Sequence, residues 1–196
     1  MLKRFMKLFH GYELAHGQYR VVKQEADGKM SGRAVTVSEP VTEENFKHHL
    51  NGGDYILGII MLKLDNSCNF GVIDIDIRGE LKLNESLESL EKKIRKTPLI
   101  LCRSKSGGAH LYLFCEPAIA AIDMVSKLNE FAAQLGYGGA EIFPKQISRA
   151  NERDRGNWIN LCYWDGDKSE RYAIHNGKKL NLKEFVELAE KKTTSH

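Results

Sequence analysis

The sequence predicts a mixed α+β domain in which helices flank a mixed sheet of about seven strands. Of its 196 residues, 42% are hydrophobic and 28% are charged, which provides a core but is too polar for a membrane span. Short β-rich runs bounded by turn residues alternate with segments whose apolar residues recur every three or four positions. At this length we expect one domain, or one domain of two tightly merged lobes.

A helix and two strands are predicted in the first half of the chain. The helix spans Val41–Leu50, with Thr42 as its N-cap and a glycine pair to end it. The segments Tyr55–Leu62 and Asn69–Ile77 are β-rich, and the turn-forming residues 65–67 separate them. We expect these two strands to pair as a hairpin.

Three further helices are predicted, each from an apolar stripe. Asn84 caps the first and Pro98 ends it, the second lies between Pro117 and Gly136, and the third spans Leu182–Lys191. The stripes of the first two are Leu87, Leu90 and Ile94, and Ile122, Val125, Leu128, Ala132 and Leu135. The remaining strands are predicted at Leu99–Arg103, Ala109–Cys115, Ala140–Phe143, Trp158–Tyr163 and Arg171–Ile174.

The net charge is small, so its distribution along the chain carries more information. The whole chain has a formal charge of +3, but Met1–Arg33 alone carries +4, from seven basic and three acidic residues. This basic opening segment either follows a phosphate backbone or is a solvated face, and the sequence leaves both open.

Cysteine usage and the opening residues bear on the compartment. Cys68, Cys102, Cys115 and Cys162 are widely spaced without a CxxC pair, so we expect buried thiols in a reducing compartment. The opening MLKRFMKLF has no uninterrupted apolar stretch and no small-residue cleavage site. The expected location is therefore the cytoplasm.

The segment GVIDIDI at 71–77 alternates apolar and acidic residues. Residues i and i+2 of a strand share a face about 6.5–7 Å apart, so Asp74 and Asp76 project together. Two aspartates on a buried strand need compensation, which Mg²⁺ or Mn²⁺ supplies through carboxylate and substrate phosphate oxygens. The alternative is a sheet face that is open to water.

A glycine turn, RSKSGGAH at 103–110, lies between two predicted strands. Adjacent glycines let backbone N–H groups approach an anion, and the Arg, Lys and Ser side chains add charge and donors. The turn either holds a triphosphate or merely reverses the chain. His110 either belongs to that site or is a hydrogen-bonded structural residue.

A third acidic position, Glu141, lies in the short strand of AEIFPKQ. If this strand lies beside that of Asp74 and Asp76, Glu141 becomes a third metal ligand, and otherwise it is an edge-strand charge. The loop that follows either tracks a phosphate chain or is a surface loop. Its basic residues are Lys145, Arg149, Arg153 and Arg155.

Taken in order, these three motifs resemble the catalytic motifs of the archaeo-eukaryotic primase superfamily. The phrases CRSKSGGAHLYLF, AEIFPKQ and GNWINLCY are most similar to the compact primase-polymerases of phages, plasmids, TOTE conflict systems and CRISPR-associated loci. The resemblance implies that family's fold, a largely antiparallel sheet carrying the acidic site in two merged lobes. It also implies one catalytic domain over 1–196, with a basic N-terminal segment and helix to about residue 55, a core over 56–180 and a C-terminal helix and tail.

The resemblance further implies a DNA primase or polymerase that uses NTPs or dNTPs, a single-stranded or primed DNA template and two Mg²⁺ or Mn²⁺ ions. Asp74, Asp76 and Glu141 would be catalytic and would ligate the metals. The nucleotide-binding residues would be Arg103, Lys105, Ser106, Gly107, Gly108, His110, Lys145 and Asn160. A helicase or another replication or defence component is a further candidate partner, and we expect a monomer that binds no membrane.

Two other function classes stay open on the residues alone. Metals on acidic residues also serve nucleases. A module that binds single strands would use the basic segment as a track, including Lys3, Arg4 and Arg20, and would stack bases on aromatic rings. Its candidate rings are Tyr12, Tyr19, Trp158 and Tyr163.

Overall fold

The computed structural model describes residues 1–24, 30–76, 83–104, 108–151 and 154–195. This part of the chain has the predicted α+β class. Its helices are α1 (Leu2–Leu8), α2 (Glu43–Leu50), α3 (Leu83–Ile94), α4 (Ala121–Leu135) and α5 (Leu182–Lys192). Its strands are β1 (His16–Gln24), β2 (Met30–Val37), β3 (Tyr55–Ile60), β4 (Ser67–Ile75), β5 (Ile100–Arg103), β6 (Ala109–Ala120), β7 (Glu141–Phe143), β8 (Trp158–Asn160), β9 (Ala173–His175) and β10 (Lys178–Lys179).

The strands form two sheets, and the pairings within both are antiparallel. The four-stranded sheet has the order β2-β1-β3-β8, and the six-stranded sheet has the order β10-β9-β5-β6-β4-β7. The prediction of about seven strands missed the short β10 and also β1 and β2, which both begin in the basic opening segment. Most side chains that the structure describes in β2 are exposed, so this region has no clear hydrophobic alternation.

The predicted hairpin between β3 and β4 is wrong, although its turn forms. The Asp65 carboxylate accepts hydrogen bonds from the Ser67 backbone N–H at 3.0 Å and hydroxyl at 2.7 Å. However, β3 pairs with β1 and β8, whereas β4 pairs with β6 and β7. All six residues of β3 are buried, and both of its edges are paired within the four-stranded sheet, so no edge is left for β4. The turn therefore carries the chain from one sheet to the other.

Helix α2 begins directly after its predicted cap, Thr42, whereas two other helices begin at residues that differ from the predictions. The Thr42 hydroxyl accepts from the Asn45 N–H at 3.3 Å, and the Asn45 side chain accepts from the Thr42 N–H at 2.7 Å. Because α3 begins at Leu83, Asn84 lies inside the helix and is not its cap. Strand β6 continues through Pro117, so α4 begins only at 121.

The buried stripe of α4 is shifted from the predicted one. Leu128, Ala132 and Leu135 are buried as predicted, but Met124 is buried and Ile122 is 57% exposed. Since each residue turns a helix by about 100°, Ile122 falls outside the stripe set by Leu128 and Ala132. Of the two predicted stripe positions before Leu128, Val125 is half-buried beside the stripe, and only Ile122 was placed on the wrong side of the helix.

The six-stranded sheet is packed on both faces. On one face, α4 approaches β4 at Gly71, where an added methyl group would lie 2.7 Å from Met124 Cγ. On the other face, the ring of Phe9 makes edge contacts with Phe70 at 5.2 Å and Phe114 at 5.5 Å between centroids. Successive side chains of a strand point to opposite faces, and Asp74 lies four residues after Phe70 in β4. Asp74 is therefore on this second face. The four cysteines are buried and free, as predicted.

His49 ties α2 to the four-stranded sheet and to the segment after β8. Its Nδ1 accepts from the Leu57 N–H at 3.1 Å, and its Nε2 lies 2.8 Å from the Cys162 carbonyl, to which it donates. Burial lowers the pKa of His49 to about 4, so the ring is neutral at neutral pH. None of the helices in the described part is long and apolar enough to cross a membrane.

Candidate active site

The six-stranded sheet brings three of the predicted site residues into one row. Asp74 in β4 is the register partner of Glu141 in β7 and of His110 in β6. Directly paired residues of an antiparallel sheet share a face, so these three side chains project to the same side. We call Glu141, Asp74 and His110 the polar row. The placement of β7 beside β4 is the arrangement that the sequence analysis required for Glu141 to join the aspartates.

Asp76 extends the row at the end of β4. It lies two residues beyond Asp74 on the same face and is exposed, as is Glu141. The side chain of Asp74 is more enclosed, with 29% of its surface exposed. One carboxylate is therefore sheltered and two face solvent.

A cleft of about 360 Å³ opens onto the three carboxylates. This volume falls within the usual range of small-ligand sites. The cleft is lined by Asp74, Ile75, Asp76, Tyr137, Gly139, Ala140 and Glu141. A larger cavity of about 710 Å³ lies elsewhere, between α1, the start of α2 and the far part of β6.

Burial and charge raise the pKa of Asp74 to about 6. Burial is the larger cause, and the negative charges of Asp76 and Glu141 add to it, while Lys145 acts against them. The three carboxylates are thus close enough to repel one another. Within the described residues, however, no group of three His, Cys, Asp or Glu side chains is already placed to hold a metal ion.

The donor chemistry of this cluster fits a hard divalent cation. Carboxylate oxygens are the ligands that Mg²⁺ and Mn²⁺ prefer, and a cation would relieve the repulsion that raises the pKa of Asp74. Lys145 is a cation near the cluster, with its Nζ 3.1 Å from Glu141 Oε1. The same Nζ lies 4.9 Å from the centroid of the Phe143 ring.

His110 is a neutral member of the row. Burial, with a smaller effect from the charge of Arg171, lowers the pKa of His110 to about 3. Its Nε2 lies 3.4 Å from Asp74 Oδ1, and its Nδ1 lies 3.4 Å from the Tyr112 hydroxyl. Since the ring is uncharged at neutral pH, it contacts Asp74 as a neutral polar group and adds no positive charge there.

The predicted glycine turn is described only at its two ends. Gly108 packs so closely on β4 that an added methyl group would lie 2.3 Å from the Ile75 carbonyl oxygen. Its own carbonyl accepts from the Ser104 N–H at 2.9 Å. The predicted phosphate contacts Lys105, Ser106 and Gly107 lie outside the described residues.

Two predicted nucleotide-binding residues do not join the row. Arg103 is paired with Ala109, so it projects from the face opposite to His110, and it donates to Glu170 at 2.7 Å. Asn160 lies in β8 of the four-stranded sheet, where its Oδ1 is buried and has no hydrogen-bond partner among the described residues.

The basic loop after β7 is partly fixed in place. The Arg149 guanidinium lies 3.7 Å from the centroid of the Tyr12 ring and donates to the carbonyls of Leu62, Lys63 and Asp154. Arg149 is therefore part of a packed corner. Of the other predicted cations in this loop, Arg155 is half-buried and Arg153 lies outside the described residues.

Sequence reasoning did not single out two polar residues beside the row. Tyr112 shares a face with His110, and its position two residues along the same strand was a usable signal. Arg171 is only 5% exposed, and burial lowers its pKa to about 10, which leaves it charged at neutral pH. One of its terminal nitrogens is buried without a hydrogen-bond partner in the described part of the chain. No local pattern marks this arginine, because its burial depends on how the two sheets meet.

The comparison with protein families assigns this antiparallel α+β chain to the archaeo-eukaryotic primase-type domains. The chain belongs to the family described as "TOTE conflict system, Archaeo-Eukaryotic Primase domain", whose model matches residues 3–162. This finding confirms the superfamily resemblance seen in the motifs.

Two solved structures are similar to the chain. One is the catalytic domain of primase RepB' in complex with initiator DNA, at 13% identity over 97% of this chain and 92% of that one, with a TM-score of 0.38. The other is primase RepB', at 13% identity over 97% of this chain and 61% of that one, with a TM-score of 0.39. The comparison with curated proteins finds no match.

Proposed function

We propose that this chain is a primase-polymerase catalytic domain, which transfers a nucleotide from an NTP or dNTP to a 3′-hydroxyl on a DNA template. The observation that carries the proposal is the register of β7, β4 and β6, which sets Glu141, Asp74 and His110 side by side. Membership of a primase domain family supports the reaction class. The cleft in front of the carboxylates offers room for a reacting group.

Asp74, Asp76 and Glu141 are the residues that would hold Mg²⁺ or Mn²⁺, in a site for two ions. When bound, such ions neutralise the triphosphate and activate the hydroxyl for in-line attack. The raised pKa of Asp74 supports this assignment, because it reflects burial of the carboxyl group and, after that, the negative charges of Asp76 and Glu141. Glu141 would exchange its contact with Lys145 for the metal.

The other residues of the site would bind and orient the triphosphate. His110 would contact it as a neutral hydrogen-bonding group, and the backbone around Gly108 would approach it closely. Lys145, once released from Glu141, would neutralise phosphate charge. Lys105, Ser106 and Gly107 are proposed for the same role from the sequence.

The test is a primer-extension assay on primed and unprimed single-stranded templates, with Mg²⁺ or Mn²⁺ and labelled NTPs or dNTPs. Asp74→Asn should reduce metal-dependent product by at least about 100-fold, because it removes a charged ligand from the centre of the row. The matched control is Asp123→Asn, an exposed aspartate in the first turn of α4, which should keep wild-type activity.

Two results would contradict the proposal. Full synthesis by Asp74→Asn would show that the row does not hold the catalytic metals. Metal-dependent shortening of labelled DNA without triphosphates would instead identify a nuclease. The same assay with each nucleotide set reveals the sugar preference, and the unprimed template reveals whether the chain starts strands.

A further inference from the structure

The two faces of the four-stranded sheet differ in what they carry. One face contributes Leu57, Ile59 and Ile159 to the main core. The other carries Tyr19 and Trp158, which are both half-buried. Exposed Ala34 and Thr36 lie on this second face, as the register partners of Tyr19 and Gly17. We call Tyr19 and Trp158, with the backbone beneath them, the aromatic face.

The indole of Trp158 lies flat on backbone. Gly17 and Gly58 are register partners, and a methyl group on either would lie 2.1 Å from Trp158 Cδ2 or 2.2 Å from its Cε3, respectively. The indole N–H donates to the Thr36 hydroxyl at 3.1 Å. Since these residues belong to β1, β3 and β2, the ring extends across three neighbouring strands with one π-face against the sheet.

The ring of Tyr19 also lies against a glycine of the aromatic face. A methyl group on Gly32 would lie 2.6 Å from Tyr19 Cε1, so this ring also covers a glycine. By contrast, Tyr12 and Tyr163 are 1% and 0% exposed, which removes them as stacking surfaces. Two half-buried aromatic rings laid on glycines therefore share one face of the sheet, which also carries the buried Ile56 and Ile60.

Three arginines, which are all partly or fully buried, are electrostatically close to the aromatic face. Trp158 packs against the cluster that contains Tyr12, and Arg149 lies over the Tyr12 ring. The charge of Arg155 is close enough to lower the pKa of Arg149 further, after the larger effect of burial. Arg171 acts electrostatically on Tyr19 and also on His110 of the polar row.

We propose that the aromatic face binds single-stranded nucleic acid by stacking a base on the outward side of Trp158. A flat ring offers the same π-surface to any base, and nearby guanidinium groups favour a polyanionic strand over a neutral ligand. The inference rests on the proposed function in taking the template strand as the occupant. The geometry of the rings does not depend on it.

The experiment uses the two tryptophans of the full chain. In Trp164→Phe, Trp158 is the sole indole, and oligothymidylate should quench its fluorescence saturably. In Trp158→Phe, the remaining Trp164, whose indole N–H donates to the Gly53 carbonyl at 3.1 Å, should not respond. Anisotropy of a labelled oligonucleotide should show binding on the order of tenfold weaker for Trp158→Leu than for Trp158→Tyr, which keeps a stacking ring.

If Trp164→Phe folds poorly, the fluorescence of Trp158 is obtained by subtracting the signal of Trp158→Phe from that of the wild type. Oligonucleotide binding that leaves Trp158 fluorescence unchanged would overturn the proposal, as would equal affinity of the Leu and Tyr variants. Asp74→Asn separates the two proposals, because it should keep the quenching. Quenching without synthesis by the wild type would contradict the polymerase alone, and synthesis without quenching would contradict the stacking surface alone.

Discussion

The two sheets carry their aspartates in opposite electrostatic settings. Asp54, just before β3 of the four-stranded sheet, is 63% exposed and lies 2.8 Å from both Arg20 and His48. Asp74, in the six-stranded sheet, is 29% exposed and faces two further carboxylates. The first arrangement balances charge at the surface, whereas the second concentrates like charge in a partly buried place. Such a concentration costs stability, and binding a cation would recover it.

The largest expected effect is a loss of activity at Asp74 that is not accompanied by a loss of stability. Asp74→Asn should abolish at least about 99% of primer extension, since the variant loses a metal ligand. Its thermal midpoint in EDTA at pH 7 should stay equal to that of the wild type or rise, because like-charge repulsion is relieved. Mg²⁺ or Mn²⁺ should raise the midpoint of the wild type and not of the variant. A variant that unfolds instead would mean that Asp74 supports the fold.

The second prediction concerns the close contact between Gly58 and the Trp158 ring in the four-stranded sheet. Gly58→Ala should lower the free energy of unfolding by about 1–3 kcal/mol, because the added methyl group meets the Trp158 ring. Urea unfolding measures this loss, and Gly138→Ala is the matched control, since an added methyl group there meets nothing closer than 4.0 Å. The loss should shrink when Trp158 is replaced by leucine, which tests the contact itself. Equal losses in Gly58→Ala and Gly138→Ala would show that the Trp158 ring moves to make room for the methyl group.

The same difference explains what could be predicted from sequence. Asp74 and Asp76 stand out because a local alternation on a buried strand reveals both the strand and its acidic face. The surface under Trp158 is built from Gly17 and Gly58, which are at least 100 positions away from it along the chain and show no local pattern. The row itself was predicted only conditionally, since pairing of β7 with β4 is a long-range contact.

Strand register limits prediction in the same way. Arg103 and His110 belong to one predicted turn, yet a shift of one residue decides which face of a sheet a side chain takes. The register that pairs Arg103 with Ala109 sends Arg103 away from the row and towards Glu170. Local sequence identifies such a motif as a unit, but it does not show which of its side chains converge.

The third prediction is a pH dependence that belongs to Asp74. Because its pKa is raised from 3.8 to about 6, the folded state holds a proton that the unfolded state has released between these values. The stability from this group is therefore present below about pH 4 and is lost as the pH rises through about 6. The lost stability should be about 1–2 kcal/mol, given the partial exposure of the carboxyl group.

Comparison of wild type with Asp74→Asn isolates this effect. His49 and His110 have lowered pKa values and act in the opposite direction, since their protonation favours unfolding as the pH falls. Both histidines are present in both proteins, so the difference in unfolding free energy between pH 4.5 and pH 7.5 reports Asp74. A pH-independent difference would contradict the raised pKa.

The smallest effect is expected at the balanced aspartate. Asp54→Asn should change the free energy of unfolding by less than about 1 kcal/mol, because Asp54 and Arg20 are 63% and 52% exposed and water screens their attraction. Urea unfolding at low salt and at about 0.5 M NaCl checks this, since the small loss should disappear when salt screens the pair. Primer extension should be unchanged, because the residue lies outside the polar row. A loss that persists at high salt would mean that the Arg20 and His48 contacts act through packing, and the two sheets would then differ less in their use of charge.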